Sequence, residues 1–109
     1  MNLFPLVRPA LGLVNPERAH HLTLLGLKMG FGPADRAGDP APLGIDLLGL
    51  HFSNPLGIAA GFDKNGEVPD AMLAMGMGFA EVGTVTPRPQ GGNPRPRIFR
   101  LAAHGAVIN

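Results

Sequence analysis

An α/β fold with a helical front is predicted by three features of this 109-residue chain. The first 30 residues are leucine-rich and carry a helix start signal at Asn15-Pro16-Glu17. Two short apolar segments, the first ending in small residues, flank a helical stretch between residues 55 and 85, the spacing of a βαβ unit. Gly at 16 and Pro at 12 punctuate the remainder without any repeat period, as turn positions do. The length suits one small domain and falls short of the roughly 200 residues that a closed eight-fold barrel needs.

Composition narrows the function classes. Hydrophobic residues make up 45% and charged residues 16%, which excludes a charge-rich disordered chain. Nine basic residues against eight acidic ones leave a net charge of +1, with no footprint for nucleic acid. The absence of cysteine removes disulfides, thiolate nucleophiles and Cys-based metal sites. The start, Met1 to Arg8, reads as lacking a secretory leader, and no apolar run approaches about 18 residues.

Taken in order, a first helix is expected between Leu3 and Val14. Leu3, Phe4, Leu6, Val7, Ala10, Leu11, Leu13 and Val14 share one broad arc, and Pro9 is expected to bend or shorten it. A second helix starts with Asn15 as cap, Pro16 in the first turn and Glu17 at the positive end of the dipole. It should run to about Met29, stopped by Gly30 and Gly32, with Leu22, Leu25 and Met29 on its packed face and Leu24 and Leu27 pointing elsewhere. Residues 33–44 read as a linker containing a subdomain boundary.

Ile45 to Leu48 and Leu50 to Phe52, around Gly49, read as a small hairpin. Pro55 to Gly61 reads as a buried strand. Glu67 to Met75 reads as a helix with Ala71, Met72 and Met75 facing the core, and Phe79 to Val85 as the next strand. A Pro/Gly-rich loop covers Pro87 to Pro96, and Arg97 to Leu101 and Ala106 to Ile108 are further strands. Asn109 ends a strand without a cap, which reads as a cut.

The chemistry concentrates in Asn54-Pro-Leu-Gly-Ile-Ala-Ala-Gly-Phe-Asp-Lys-Asn-Gly-Glu67. Small residues at Ala59-Ala60-Gly61 leave main chain bare at the carboxyl end of a strand, where parallel sheets bind ligands. Lys64 follows within reach. From pattern alone the plainer reading, a tight strand-to-helix turn with a solvated lysine, stands ahead. Thr84 could offer a hydroxyl from the next strand end, or simply be a β-branched strand residue. Arg88, Arg95, Arg97 and Arg100 read as a solvated basic loop before a phosphate cluster. Asn109 could offer a donor and an acceptor to a planar heterocycle. The histidines 20, 21, 51 and 104 lack metal-ligand spacing, so no metal is expected. No Gly-x-Gly-x-x-Gly or P-loop supports a nicotinamide or NTP site.

Together these stretches resemble the class 2, quinone-dependent and membrane-associated dihydroorotate dehydrogenases. The likeness is carried by Asn15 to His20, Asn54 to Lys64, Gly76 through Gln90, Gly92 to Leu101 and Ala106 to Asn109. The resemblance implies the N-terminal part of a (β/α)8 TIM barrel, incomplete in this chain, preceded by a short helical hairpin. Residues 1–32 would be the membrane-associated hairpin, 33–44 the linker and 45–109 the start of the barrel. It implies flavin mononucleotide (FMN) as cofactor, with Ala60, Gly61, Phe62, Asp63, Lys64 and Thr84 as its contacts. It further implies Lys64 and Asn109 as substrate contacts, and no catalytic residue here, a serine base being expected beyond Asn109.

The implied partners are dihydroorotate and orotate, ubiquinone or menaquinone, and a membrane surface met peripherally by the front helices. The implied location is the cytoplasmic side of a bacterial inner membrane. The chain alone is expected to be inactive. The alternatives are a non-catalytic membrane- or partner-docking module, and an FMN barrel acting on another pyrimidine.

Overall fold

A computed structural model of the chain describes residues 4–109. These form two compact units, one made of the chain up to Thr23 together with Pro89–Asn109, the other of Leu24–Arg88. Helix α1 spans Phe4–Leu13 and α2 spans Pro16–Lys28. Leu3, expected on the first helical arc, lies outside the described residues. The expected shortening at Pro9 does not occur, because α1 runs through it. Pro9 has no N–H, which leaves only the Pro5 carbonyl without its helical donor, in an exposed first turn where water can satisfy it.

Helix α2 begins as its signals require. Asn15 Oδ1 accepts hydrogen bonds from the N–H groups of Glu17 at 3.0 Å and Arg18 at 3.4 Å. It ends in a Schellman motif: Phe31 N–H donates to the Gly26 carbonyl at 2.9 Å and Gly30 N–H to that of Leu27 at 3.0 Å. Gly30 takes the required left-handed turn at φ +83°. The packed face is the reverse of the expected one. Leu27 is buried and Leu24 packs beside it, whereas Leu22, Leu25 and Met29 are exposed. With leucines on both sides of the helix, periodicity could not choose; the presence of Val68 and Met72 beside Leu27 does.

In the first unit, β5 (Phe99–Leu101) and β6 (Ala106–Ile108) pair antiparallel, Phe99 opposite Ile108, through a 3-10 turn at Ala102–His104. Arg100 reaches from β5 to the end of α1. Its guanidinium donates to the carbonyls of Leu11 at 2.9 Å, Gly12 at 3.0 Å and Val14 at 2.6 Å. Helix α1 has no basic residue in its own last turn, so Arg100 supplies the cation that its free carbonyls favour. Arg97 Nε donates to Glu17 Oε1 at 2.9 Å, and Arg95 approaches the same oxygen at 3.1 Å. Three of the four arginines read as a solvated loop therefore also bond within the first unit, Arg95 and Arg100 doing so while exposed. The hydrogen bond from Arg97, with the charges of both arginines, holds the Glu17 carboxyl below the usual range despite opposing desolvation.

In the second unit, β1 (Ile45–Leu47) and β2 (Leu50–Phe52) form the expected hairpin, Leu47 opposite Leu50. Its two-residue turn places both Leu48, at φ 52°, and Gly49, at φ 80°, in the left-handed region, as a type I′ turn demands. Strand β3 (Gly57–Asp63), helix α3 (Pro69–Ala74) and strand β4 (Phe79–Val82) make a parallel βαβ unit. Strand β3 runs two residues past the expected end. The expected burial of this strand is not met, since Ala59 and Ala60 are exposed beside a single neighbouring strand. Strand β4 stops at Val82 rather than Val85, Gly83 leaving extended geometry at φ +116°.

Leu27, Val68 and Met72 form the core of this unit, with Leu24, Ile58, Phe62, Ala71, Met75 and Ala80 against it. Residues 33–44 are tied into it: Asp35 N–H donates to the Ala74 carbonyl at 2.8 Å. Met72 has no exposed surface. Met72→Ala is expected to destabilise the unit by about 2–5 kcal/mol, read as a lower urea midpoint at unchanged m-value.

Candidate functional site

The carboxyl end of β3 is built by an irregularity that the sequence did not announce. Gly57 pairs with Phe79 and Ile58 with Ala80, but the next pairing is Asp63 with Val82. Four residues, Ala59 to Phe62, thus stand opposite Glu81 alone. The surplus forms a bulge whose local geometry is set by Gly61 at φ +99°. A side chain at Gly61 would meet nothing within 4 Å. Gly61 N–H donates to the Gly83 carbonyl, and Gly83 N–H to that of Asp63, both at 3.2 Å. Ala60, Lys64 and Thr84 are all exposed here. The phenyl ring of Phe62, in contrast, packs on the core.

Asp63 ends the strand with no exposed surface. Its Oδ1 accepts from Glu67 N–H at 2.9 Å and its Oδ2 from Val68 N–H at 2.8 Å. Burial works against the charged form, but hydrogen bonds from the backbone of Val68, Glu67, Asn65 and Gly66 outweigh it and hold the carboxyl below its ordinary value. The turn from β3 into α3 is therefore closed around this carboxylate. Glu67, in the same turn, receives Lys28 Nζ at 3.1 Å and Asn65 Nδ2 at 3.2 Å. Those two hydrogen bonds, the one from Asn65 foremost, lower its pKa.

Asn54, buried at 4% exposure, opens the segment. Its Nδ2 donates to Asp39 Oδ2 at 2.7 Å and to the Gly76 carbonyl at 3.0 Å, while Oδ1 accepts from Leu56 N–H at 2.9 Å. One amide thereby joins residues 33–44, the entry to β3 and the end of α3. Gly78 lies so close that a Cβ there would overlap the Asn54 carbonyl. Sequence reasoning gave Asn54 no role; its only local sign was the Asn-Pro pair that starts an Asx turn.

Asn109 follows β6 at the end of the first unit and is exposed. The second unit thus groups Ala60 to Lys64 with Thr84 around one strand end, and Asn109 belongs to the other unit.

The family model for dihydroorotate dehydrogenase matches residues 42–109. The chain belongs to the dihydroorotate dehydrogenase family. Among its relatives, the dihydroorotate dehydrogenase (quinone) of Parvibaculum lavamentivorans is 74% identical over all of this chain and 31% of its own length. That of Rhodospirillum rubrum is 58% identical over 97% of this chain and 29% of its own. The mitochondrial dihydroorotate dehydrogenase (quinone) of Oryza sativa subsp. japonica is 54% identical over 95% and 22%. The chain spans about a third or less of the length of these curated relatives. A crystal structure of the Eimeria tenella dihydroorotate dehydrogenase in complex with ferulenol superposes with TM-score 0.83 at 50% identity, covering 87% of this chain and 25% of that one. The family resemblance read from the sequence and the α/β architecture are thereby borne out.

Three substitutions probe the buried groups. Asn54→Ala should cost about 1–3 kcal/mol by orphaning Leu56 N–H and the Gly76 carbonyl. Asn54→Asp should cost more at neutral pH, since it faces Asp39 with a second carboxylate; thermal melts compare the two. Asp63 has a depressed folded pKa, so its contribution is complete above its ordinary value of 3.8 and is lost as pH falls through the folded value. Asp63→Asn should therefore be less stable than wild type at pH 7, with the difference shrinking below about pH 4 in paired urea titrations.

Proposed function

We propose that this chain forms part of an FMN-dependent enzyme oxidising (S)-dihydroorotate to orotate, with a quinone as electron acceptor, in pyrimidine synthesis. One observation carries the reading: in a chain of this family, bare main chain at the end of β3 is followed at once by an exposed lysine. The residues present suit a flat, anionic cofactor. Ala60 and Gly61 present almost no side chain, nothing stands where a Cβ on Gly61 would be, and Lys64 and Thr84 add a cation and a hydroxyl.

Ala60, Gly61, Asp63 and Phe62 would contact FMN through their main chain, the last two having side chains turned inward. Thr84 would offer its hydroxyl. Lys64 would hold the negative charge that develops on the ring and pair with the substrate carboxylate. Asn109 would meet the pyrimidine ring with its donor and acceptor. When bound, FMN supplies the two-electron acceptor that this oxidation requires, the quinone taking those electrons on. A serine general base is expected from the length of the relatives that this chain does not span.

In this reading β3 and β4 are the first two strands of the eight-stranded barrel, and the exposed Ala59, Ala60 and Phe79 await its other strands. The front helices would lie on a membrane surface. Leu6, Leu13 and Leu22 are exposed there, and among the described residues no helix is long and apolar enough to cross a membrane.

The test is quinone reduction driven by dihydroorotate in the full-length protein carrying this chain. Purified protein is expected to be yellow and active, and Lys64→Ala to lower turnover by about 10²–10³-fold. Flavin-loaded protein that reduces no quinone with dihydroorotate would overturn the assignment.

A further inference from the structure

Asp63 stands among the flavin contacts by resemblance, yet its carboxylate has no exposed surface and faces its own turn. We propose that Asp63 is a positioning residue, whose buried carboxylate holds residues 63–68 in the shape that presents Lys64, unpaired, to an anionic ligand. The inference rests on the reading of Lys64 given under Proposed function.

Two features support it. The first is how the turn is fixed. Both carboxylate oxygens receive backbone N–H groups from four and five residues ahead, at 2.9 and 2.8 Å, so the chain on either side of Lys64 is pinned to one buried charge. A flexible four-carbon side chain then starts from a fixed Cα, which reduces the freedom lost when its ammonium meets a ligand.

The second is where the neighbouring negative charges go. Asp63 and Glu67 are the carboxylates closest to Lys64 in sequence, and either could neutralise it. Asp63 is committed to the backbone, and Glu67 to Lys28 Nζ at 3.1 Å and Asn65 Nδ2 at 3.2 Å. Among the described residues Lys64 makes no hydrogen bond or ion pair. The turn thus withholds both adjacent carboxylates from the lysine. An amide at position 63 would place an NH2 group against a backbone N–H, loosen the turn and release Lys64 from this placement.

A double-mutant cycle on orotate binding in the full-length, FMN-loaded protein tests this, with calorimetry as readout. Asp63→Asn is expected to weaken orotate binding about 10-fold or more, and Lys64→Met to weaken it at least as much. In the Lys64→Met background, Asp63→Asn should add less than about 2-fold, since its effect passes through the ammonium. Orotate binding is compared per bound FMN in every variant, because Asp63 and Lys64 are both flavin contacts in the reading on which the inference rests.

Effects that multiply, or wild-type binding in Asp63→Asn, would each overturn the proposal. Should Asp63→Asn fail to fold, Gly66→Ala takes its place in the cycle. It strains the same turn at φ +69°, with its Cβ 3.3 Å from Val82, while the Asp63 carboxylate itself is kept, and the same pattern is expected. A wild-type protein that binds no orotate would overturn the functional reading and this inference with it. Wild-type binding combined with multiplying effects would overturn the inference alone.

Discussion

A carboxylate with no access to water lies where the second unit turns from strand to helix. Asp63 ends β3, and the N–H groups it accepts belong to the residues that lead into α3. Val68, one of those donors, is also a member of the core with Leu27 and Met72. The electrostatic tie and the apolar cluster therefore share a residue, and neither the direction of α3 nor the return into β4 is independent of it. Burying a charge is costly, and converging backbone N–H groups are one of the few arrangements that offset it within six residues.

Asn54 performs a comparable task at the other end of β3. Its amide satisfies the backbone of Leu56 and Gly76 while holding Asp39, so a segment rich in Pro and Gly is fixed without regular structure. Between these two polar anchors lies the bulge from Ala59 to Phe62. Strand pairing is given up there, and what is gained is accessible main chain at the strand end. The first unit uses charge in a similar way: Glu17 gathers Arg95 and Arg97, and Arg100 covers the last carbonyls of α1. Arg95, Arg97 and Arg100 thus have partners within the unit.

Much of the site was legible as a list of residues and little of it as roles. Ala60 to Lys64 and Thr84 do gather at one strand end, since a βαβ unit brings successive strand termini side by side. The side chains of Phe62 and Asp63 nevertheless turn toward the core and the turn, away from the open end. The exposure pattern of α2 shows the same kind of ambiguity. Its leucines occupy both faces, and which of them is buried depends on a helix more than 40 residues later in the chain.

The sequence by itself determined the elements with strong local chemistry. Asn15-Pro16 starts α2 and Gly30 ends it, Gly49 closes the β1–β2 hairpin, and Ala59-Ala60-Gly61 mark a stretch of β3 with little side chain over its backbone. These depend on φ preferences and on hydrogen bonds spanning a few residues, which neighbours in the chain can specify. Only the tertiary structure decided the register break in β3, the packed face of α2, the hub at Asn54 and the destinations of the arginines. Each of these matches a side chain with a partner distant in sequence, and the choice among such partners is made by packing and desolvation once the elements meet.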